Sequence, residues 1–126
     1  MLRIIIFLIF LASFTSGVIQ SAQAETDFFE TLYDVPILNG LEEIDEEAVT
    51  FDKPSGRISY AAAYTARYDE EQVIALYKQA LAQMGWKLAL KSTFMREGEI
   101  LTISFYKSKA WPADPMVVRF ALQPDV

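Results

Sequence analysis

The stretch DEEQVIALYKQALAQMGW, from Asp69 to Trp86, constrains the fold most because it carries signals for both ends of a helix. Asp69 and Gln72 have the spacing of a capping box, and Gly85 suits the left-handed residue that ends a helix. Apolar residues recur between these ends every three or four positions and form a single stripe. The sequence therefore predicts one helix, from Asp69 to Met84, that packs one side against a sheet. Trp86 then finishes the helix end rather than holding a ligand.

Alternating apolar residues on both sides of this helix predict strands. Residues 48–66 predict a hairpin around the turn KPSG, where Pro and Gly suit a type I turn. After the helix, strands are predicted over residues 87–95, 100–107 and 116–122. The order β-β-α-β-β-β predicts an α+β domain, with one antiparallel sheet and the helix packed on one face.

The two faces of the predicted sheet differ in character. Residues 57–66 place Ile58, Tyr60, Ala62 and Tyr64 on one face. The second face carries small, mildly polar residues, and a single helix covers only one face. We therefore expect an exposed small-residue surface that receives a partner, the N-terminal arm or a second copy of the chain. Its residues are Ala61, Ala63, Thr65, Ala89, Thr102, Ser104 and Ala121.

The first 24 residues predict an exported protein. Arg3 precedes an apolar stretch, and a polar stretch then ends in the small-x-small pattern Ala22-Gln23-Ala24 that signal peptidase reads. The alternative is an uncleaved anchor, but the 16 residues from Ile4 to Ile19 fall short of the roughly 20 apolar residues that a span needs. We expect cleavage near Ala24, a periplasmic or secreted product, and no membrane span in the mature chain.

Charge divides the rest of the chain into an acidic N-terminal arm, residues 25–47, and a domain, residues 48–126. The arm has nine acidic residues and no basic one, whereas the domain has eight acidic and ten basic residues. This balance argues against nucleic acid and anionic lipid as partners, since both call for clustered Lys and Arg. The arm also contains apolar residues that need packing, so we expect it to lie partly along the domain. They are Phe28, Phe29, Tyr33, Ile37, Leu38 and Leu41.

Histidine and cysteine are both absent from the chain. Their absence excludes Ser-His-Asp and Cys-His catalysis, the usual zinc ligands, and disulfides as a source of stability. Glu97 and Glu99, which flank a turn glycine, are the acids left for a carboxylate hydrolase, and they do not resemble a pair held in a cleft. We predict no catalysis, no cofactor and no metal.

Two features are candidate partner-binding sites. The first is the acidic run EEIDEE, which lacks the spacing of a calcium loop and is either a docking strip for a basic partner or a solvated segment. The second is Trp111, on a loop stiffened by Pro112 and close in sequence to Tyr106. Tryptophan is a common interface anchor, although Trp111 could instead fold over the sheet edge. The acidic candidates are Glu42, Glu43, Glu46 and Glu47.

Four segments carry a resemblance to known proteins: FDKPSGRI, ALYKQALAQMGW, MREGEILTISF and VVRFALQP. Together they resemble a family of small exported bacterial proteins of unknown function, over residues 33–124. The shared features are turns and helix ends, so the resemblance implies a fold more than an activity. It implies no catalytic residue, cofactor or partner.

These observations lead to three functional hypotheses. The first is a non-enzymatic periplasmic interaction module that docks on another envelope protein through the acidic arm, the Trp111 loop or a sheet edge. The alternative is a binder of a small apolar ligand or peptide between helix and sheet. A large cavity lined by Tyr60, Tyr64 and Tyr77 would support it, and a close-packed interior would count against it. A carboxylate hydrolase is the third.

Overall fold

The computed structural model describes residues 26–107 and 115–125, so the predicted signal peptide lies outside the described residues. The predicted α+β class is confirmed: within these residues, one α-helix accompanies a mostly antiparallel sheet of many strands. The elements are β1 (Asp27–Phe28), β2 (Pro36–Ile37), β3 (Glu42–Glu43), a 3-10 turn (Asp45–Glu47), β4 (Val49–Lys53), β5 (Gly56–Thr65), α1 (Glu70–Gln83), β6 (Lys87–Leu90), β7 (Thr93–Arg96), β8 (Glu99–Tyr106) and β9 (Met116–Pro124).

The strands form two antiparallel groups. β1 pairs only with β2, while the other seven strands form one sheet in the order β3-β5-β9-β8-β7-β6. β4 lies outside this path and pairs with the first half of β5, and β3 pairs with its second half. The long strand β5 therefore joins the predicted hairpin, which is confirmed, to the N-terminal arm.

Both predicted ends of the helix are confirmed. The Asp69 carboxylate accepts the Gln72 backbone N–H at 2.8 Å, and the Gln72 side chain accepts the Asp69 N–H at 3.0 Å. At the other end the Trp86 N–H donates to the Leu81 carbonyl at 3.0 Å, across Gly85 in a left-handed conformation. Trp86 is buried in the core, so the indole is part of the packing.

The prediction of a single strand over residues 87–95 is wrong. The segment folds as a hairpin, with β6 and β7 joined at Lys91 and Ser92, so the domain has one strand more than predicted. Lys91 adopts a positive φ of 46°, a conformation that usually selects Gly or Asn. Because Lys stands there instead, the sequence carries no turn signal at this point.

The prediction that α1 covers the face of β5 opposite Ala61 and Ala63 is wrong, whereas the N-terminal arm, one of the three occupants expected for this face, does pack there. Ala61 and Ala63 share a hydrophobic cluster with Tyr77 of α1 and Phe29 of the arm. Thr65 is buried as well. The small side chains at these positions leave room for two aromatic rings. Tyr77 of the helix packs there against Phe120 of β9, with ring centroids 5.0 Å apart. Alanine lies there because large aromatic side chains occupy the same layer.

The face of the seven-stranded sheet that points away from α1 is here named the open face. Tyr60 lies opposite Ala121, which in turn lies opposite Thr102, so these three residues share that face. Tyr64 lies on it as well, four positions along β5. Three of the residues predicted to share the small surface, Thr102, Ser104 and Ala121, are thus on the opposite side of the sheet from Ala61.

The N-terminal arm contributes to the same core as the domain. Phe29, Leu32 and Val35 are fully buried, and the Phe29 ring lies 4.8 Å from that of Phe120. The buried hydroxyl of Tyr77 donates to the Pro36 carbonyl at 2.8 Å, which ties the arm to the helix. The sheet, the helix and the arm therefore enclose one hydrophobic interior.

Two neighbouring phenylalanines test the contribution of the arm. Phe29 is 1% exposed and Phe28 is 42% exposed. Replacing Phe29 with Ala is expected to lower the free energy of unfolding by about 3 kcal/mol or more, because it leaves a cavity against Phe120. Phe28→Ala should cost about 0.5 kcal/mol. Urea unfolding monitored by circular dichroism measures both, and equal losses would contradict the packing described for the arm.

The buried hydroxyl of Tyr77 predicts a pH dependence of stability. Burial raises the pKa of Tyr77 well above its ordinary value of 10.0. Above about pH 10 the unfolded chain loses this proton while the folded chain keeps it, so stability falls by about 1.4 kcal/mol per pH unit. In Tyr77→Phe this part of the decline should be absent. Thermal unfolding between pH 8 and pH 11 checks this, and identical slopes in both proteins would overturn it.

Candidate functional site

The open face carries a concentration of large apolar side chains that remain exposed. Six of them, each between 37% and 54% exposed, come from β4, β5, β7 and β8. Their registers place them on one side: Val49 lies opposite Tyr60, for example, and Phe51 lies opposite Ile58. These six residues are Val49, Phe51, Tyr60, Tyr64, Met95 and Tyr106.

One part of the open face is covered by the chain itself. Ile44, immediately before the 3-10 turn, packs on Ala62 of β5 and Val117 of β9 to form a small second core. The Ile44 N–H also donates to the Ala62 carbonyl at 2.8 Å. This contact fixes the acidic run beside the exposed apolar side chains.

Two of the predicted partner-binding residues, Tyr106 and Glu47, both contact Arg119 on the open face. Arg119 was not among the residues predicted from the sequence. Arg119 of β9 lies with its guanidinium carbon 4.8 Å from the ring centroid of Tyr106. Its Nη2 donates to the Tyr106 hydroxyl at 3.3 Å and lies 3.5 Å from a carboxylate oxygen of Glu47. Arg119 is the single basic residue in the apolar strand segment VVRFAL. Its charge within an otherwise apolar strand is the sequence feature that could have marked it as a candidate site residue.

The other acidic candidates, Glu42, Glu43 and Glu46, do not lie together on one surface. Glu42 is exposed and lies opposite Tyr64, at the border of the open face. Glu46 is exposed in the 3-10 turn. Glu43 instead lies opposite Ala63, towards the helix side, where its carboxylate accepts the Glu30 N–H at 3.1 Å. The acidic run therefore presents some carboxylates beside the exposed apolar residues and uses one to hold the arm.

Trp111 lies outside the described residues. Of the described residues around it, Tyr106 is the last of β8 and Met116 is the first of β9. The part of this candidate that the structure describes is therefore Tyr106, which is 42% exposed and stacked on Arg119.

A separate ionic group, here named the arginine cluster, consists of Asp34, Arg57, Arg96 and Glu99. Asp34 lies between the two guanidiniums: Arg96 contacts one carboxylate oxygen, and Arg57 lies 3.6 Å from the other. Glu99 lies 3.3 Å from Arg57 and 3.7 Å from Arg96. The cluster contains two acidic and two basic side chains and has no net charge. It links Asp34 of the arm to arginines of the sheet.

Aromatic rings hold both arginines in place. The Arg96 guanidinium lies 4.3 Å from the Trp86 ring centroid, and that of Arg57 lies 4.6 Å from the Tyr33 ring. This arrangement also accounts for one of the acids considered for a hydrolase, because Glu99 is paired with both arginines. Glu97 lies exposed in the turn before β8, at a positive φ of 43°.

Tyr60, Tyr64 and Tyr77, whose shared cavity would support the ligand-binding alternative, do not line one cavity. Tyr77 is buried beneath the helix, whereas Tyr60 and Tyr64 lie on the open face, so the sheet separates them. An open groove of about 610 Å³ does lie between the helix and the sheet, beside β6. It is lined in part by Ile74 and Leu88.

Within residues 26–107 and 115–125, no group of three or more acidic, histidine or cysteine residues is placed to hold a metal ion. In the same part of the chain, no helix is long and apolar enough to cross a membrane.

Comparison with known proteins adds no relative. A scan against protein-family models and searches of the curated proteins and the solved structures found no match to this chain. The resemblance to small exported bacterial proteins stays a prediction, so any function has to be inferred from the geometry of the described residues.

Two arginines that both stack on aromatic rings test which ionic contacts stabilise the fold. Arg96→Ala is expected to lower the free energy of unfolding by about 2–3 kcal/mol, because it leaves the nearly buried Asp34 with one distant guanidinium. Arg119→Ala removes an ion pair that is about 40% exposed and should cost about 0.5 kcal/mol. Urea unfolding of both variants gives the comparison. A loss for Arg119→Ala as large as that for Arg96→Ala would contradict this ranking.

Proposed function

We propose that this protein is a non-catalytic, exported interaction module that docks on another envelope protein through the open face. One observation carries the proposal: six large apolar side chains, three of them tyrosines, remain exposed on the same side of the sheet. Monomeric proteins rarely expose a large contiguous apolar surface unless it meets a partner. Tyrosine is also among the residues that contribute most to binding at protein interfaces.

The backbone beneath these side chains supports the same function. β5, β9 and β8 form the middle of the sheet and are paired along most of their length. Their other face is closely packed against α1 and the arm. Side chains on such a support lose little backbone freedom when they bind, which favours affinity from a small surface.

The charge at the border of the open face indicates the chemistry of the partner. Glu42, Glu46 and Glu47 lie on the segment that borders this face, and only Glu47 among them has an ion pair in the described residues. A partner with an apolar centre and a basic rim would complement this arrangement. Binding should then weaken as salt rises, because exposed charges are screened.

A second function, binding of a peptide or apolar ligand between helix and sheet, is favoured by the groove beside β6. This groove is not lined by Tyr60, Tyr64 or Tyr77, and it lies on another side of the molecule from Phe51 and Tyr60 of the open face.

Two exposed phenylalanines give a matched test of docking. A photo-crosslinking amino acid is placed at Phe51, on the open face, or at Phe28, on the arm, and cells are irradiated. We expect a discrete adduct from position 51 and none of that size from position 28. Phe51→Asp should weaken partner capture about tenfold or more, whereas Phe28→Asp should leave it unchanged.

Substitution is a better test of the acidic arm than deletion. Removing residues 25–47 would also remove Phe29, Leu32 and Val35 from the core. Reversing the charge of Glu42 and Glu46 leaves those residues in place and is expected to weaken capture at low salt. If neither Phe51→Asp nor the charge reversal alters capture, the open face is not the docking surface.

A further inference from the structure

A groove lies between α1 and the N-terminal arm and is here named the arm groove. It has a volume of about 530 Å³. Leu76 and Ala80 of α1 and Pro36 of β2 belong to its apolar lining. No residue lines both the arm groove and the groove beside β6, so the two are separate places on the molecule.

The lining of the arm groove is uncharged. None of the described residues that form it is acidic or basic, although 22% of the residues in the chain are charged. The groove beside β6 differs in this respect, since Glu70, Glu71 and Lys78 line it. A charged ligand would lose hydration in the arm groove without gaining an ion pair from its lining. The arm groove therefore favours a neutral ligand.

Three primary amides also line the arm groove. Asn39 lies in the turn after β2, and Gln79 and Gln83 lie one turn apart on α1. All three residues are exposed, and their side-chain amides make no hydrogen bond within residues 26–107 and 115–125. A purely apolar ligand would remove water from these amides and leave them unpaired, which is costly. The ligand should therefore carry groups that donate and accept hydrogen bonds.

Two aromatic rings complete the lining. They belong to Phe28 of β1, which is 42% exposed, and to Tyr68, the residue before the helix N-cap. The Tyr68 hydroxyl donates to the Asn39 backbone carbonyl at 3.1 Å, and the Arg67 guanidinium carbon lies 5.4 Å from the Tyr68 ring centroid. These contacts hold the ring and the turn in place, so little freedom is lost there when a ligand binds.

We propose that the arm groove binds a neutral saccharide, with sugar C–H groups on Phe28 and Tyr68 and sugar hydroxyls on the three amides. A pyranose ring has C–H groups on its faces and hydroxyls around its rim, so one molecule matches both kinds of lining. The faces of aromatic rings are negative and attract C–H groups. Hydroxyls and primary amides each donate and accept hydrogen bonds. This site lies beyond the docking function proposed for the open face and does not depend on it.

A neutral peptide also combines apolar groups with hydrogen-bonding groups. Extended peptides commonly bind by adding a strand to an exposed sheet edge. The strand at the arm groove is β1, which has only two residues and therefore offers little edge for such pairing. This difference favours the saccharide, and a capped neutral peptide is the control for that choice.

The test is an NMR titration of the nitrogen-15-labelled protein, because the side-chain amides of Asn39, Gln79 and Gln83 give signals of their own. The probes are cellobiose, maltose and N,N′-diacetylchitobiose. At least one of them is expected to shift these signals at millimolar concentration. The controls are the peptide acetyl-Ala-Ala-Ala-amide and the deacetylated form of the third probe, in weakly acidic buffer that protonates its amines. Both should bind about tenfold or more weakly than the tightest probe.

Substitutions locate the binding site. Gln79→Ala removes one amide from an exposed helix position, and Phe28→Ala removes one ring at little cost to stability. Each should weaken binding of the tightest probe about fivefold or more. The control variant Gln123→Ala, at an exposed glutamine of β9, should bind as the wild type does. Backbone amide spectra establish that each variant is folded.

Three results would overturn the proposal. The first is the absence of any shift of the three side-chain amides with every probe. The second is equal binding of the neutral peptide or of the deacetylated sugar, which would indicate a ligand of another class. The third is the same loss in Gln123→Ala as in Gln79→Ala, which would place binding elsewhere. None of these results bears on crosslinking at Phe51, so the open-face function is tested separately.

Discussion

Three parts of the chain meet at the ring of Phe120. Phe29 approaches it from the arm at 4.8 Å and Tyr77 approaches it from the helix at 5.0 Å, both in the tilted or edge geometries that aromatic rings prefer. Phe120 itself lies on β9, in the middle of the sheet. Small residues opposite it, such as Ala61, make the space that these rings fill.

This packing has a consequence for the other side of the sheet. Side chains alternate along a strand, so each residue that packs beneath the helix leaves its neighbours on the open face. In β5, Ala61 and Ala63 face the rings, and Tyr60 and Tyr64 face outward. The same alternation of side chains therefore produces both the close-packed interior and the exposed aromatic surface. The packed interior holds the strands that carry the exposed aromatic side chains.

Local signals were sufficient to predict the helix and the first hairpin from the sequence. The capping pair of Asp69 and Gln72 and the turn KPSG act over a few residues, and both are present in the structure. The turn at Lys91 was missed because a residue without turn preference adopts a positive φ there. Here the fold class was predictable because its main element carried its own boundaries.

The face covered by the helix and the candidate site depended on contacts between distant residues. Alternation indicates which residues of β5 share a face, but packing against Phe29 and Phe120 decides which face is buried. The contact of Arg119 with Tyr106 and Glu47 likewise requires the pairing of β8 with β9 and the position of the 3-10 turn. No short pattern in the sequence contains that information.

The position of the arm in the core also bears on how the protein folds as it is made. Phe29 is among the first described residues to be synthesised, while its partner Phe120 is among the last. The apolar residues of the arm consequently have no native contact with β9 until that strand, the last of the described elements, has been synthesised. Folding dominated by such distant contacts is slow and leaves apolar segments exposed meanwhile. A chaperone that shields the nascent arm would therefore act on the residues that complete the core last.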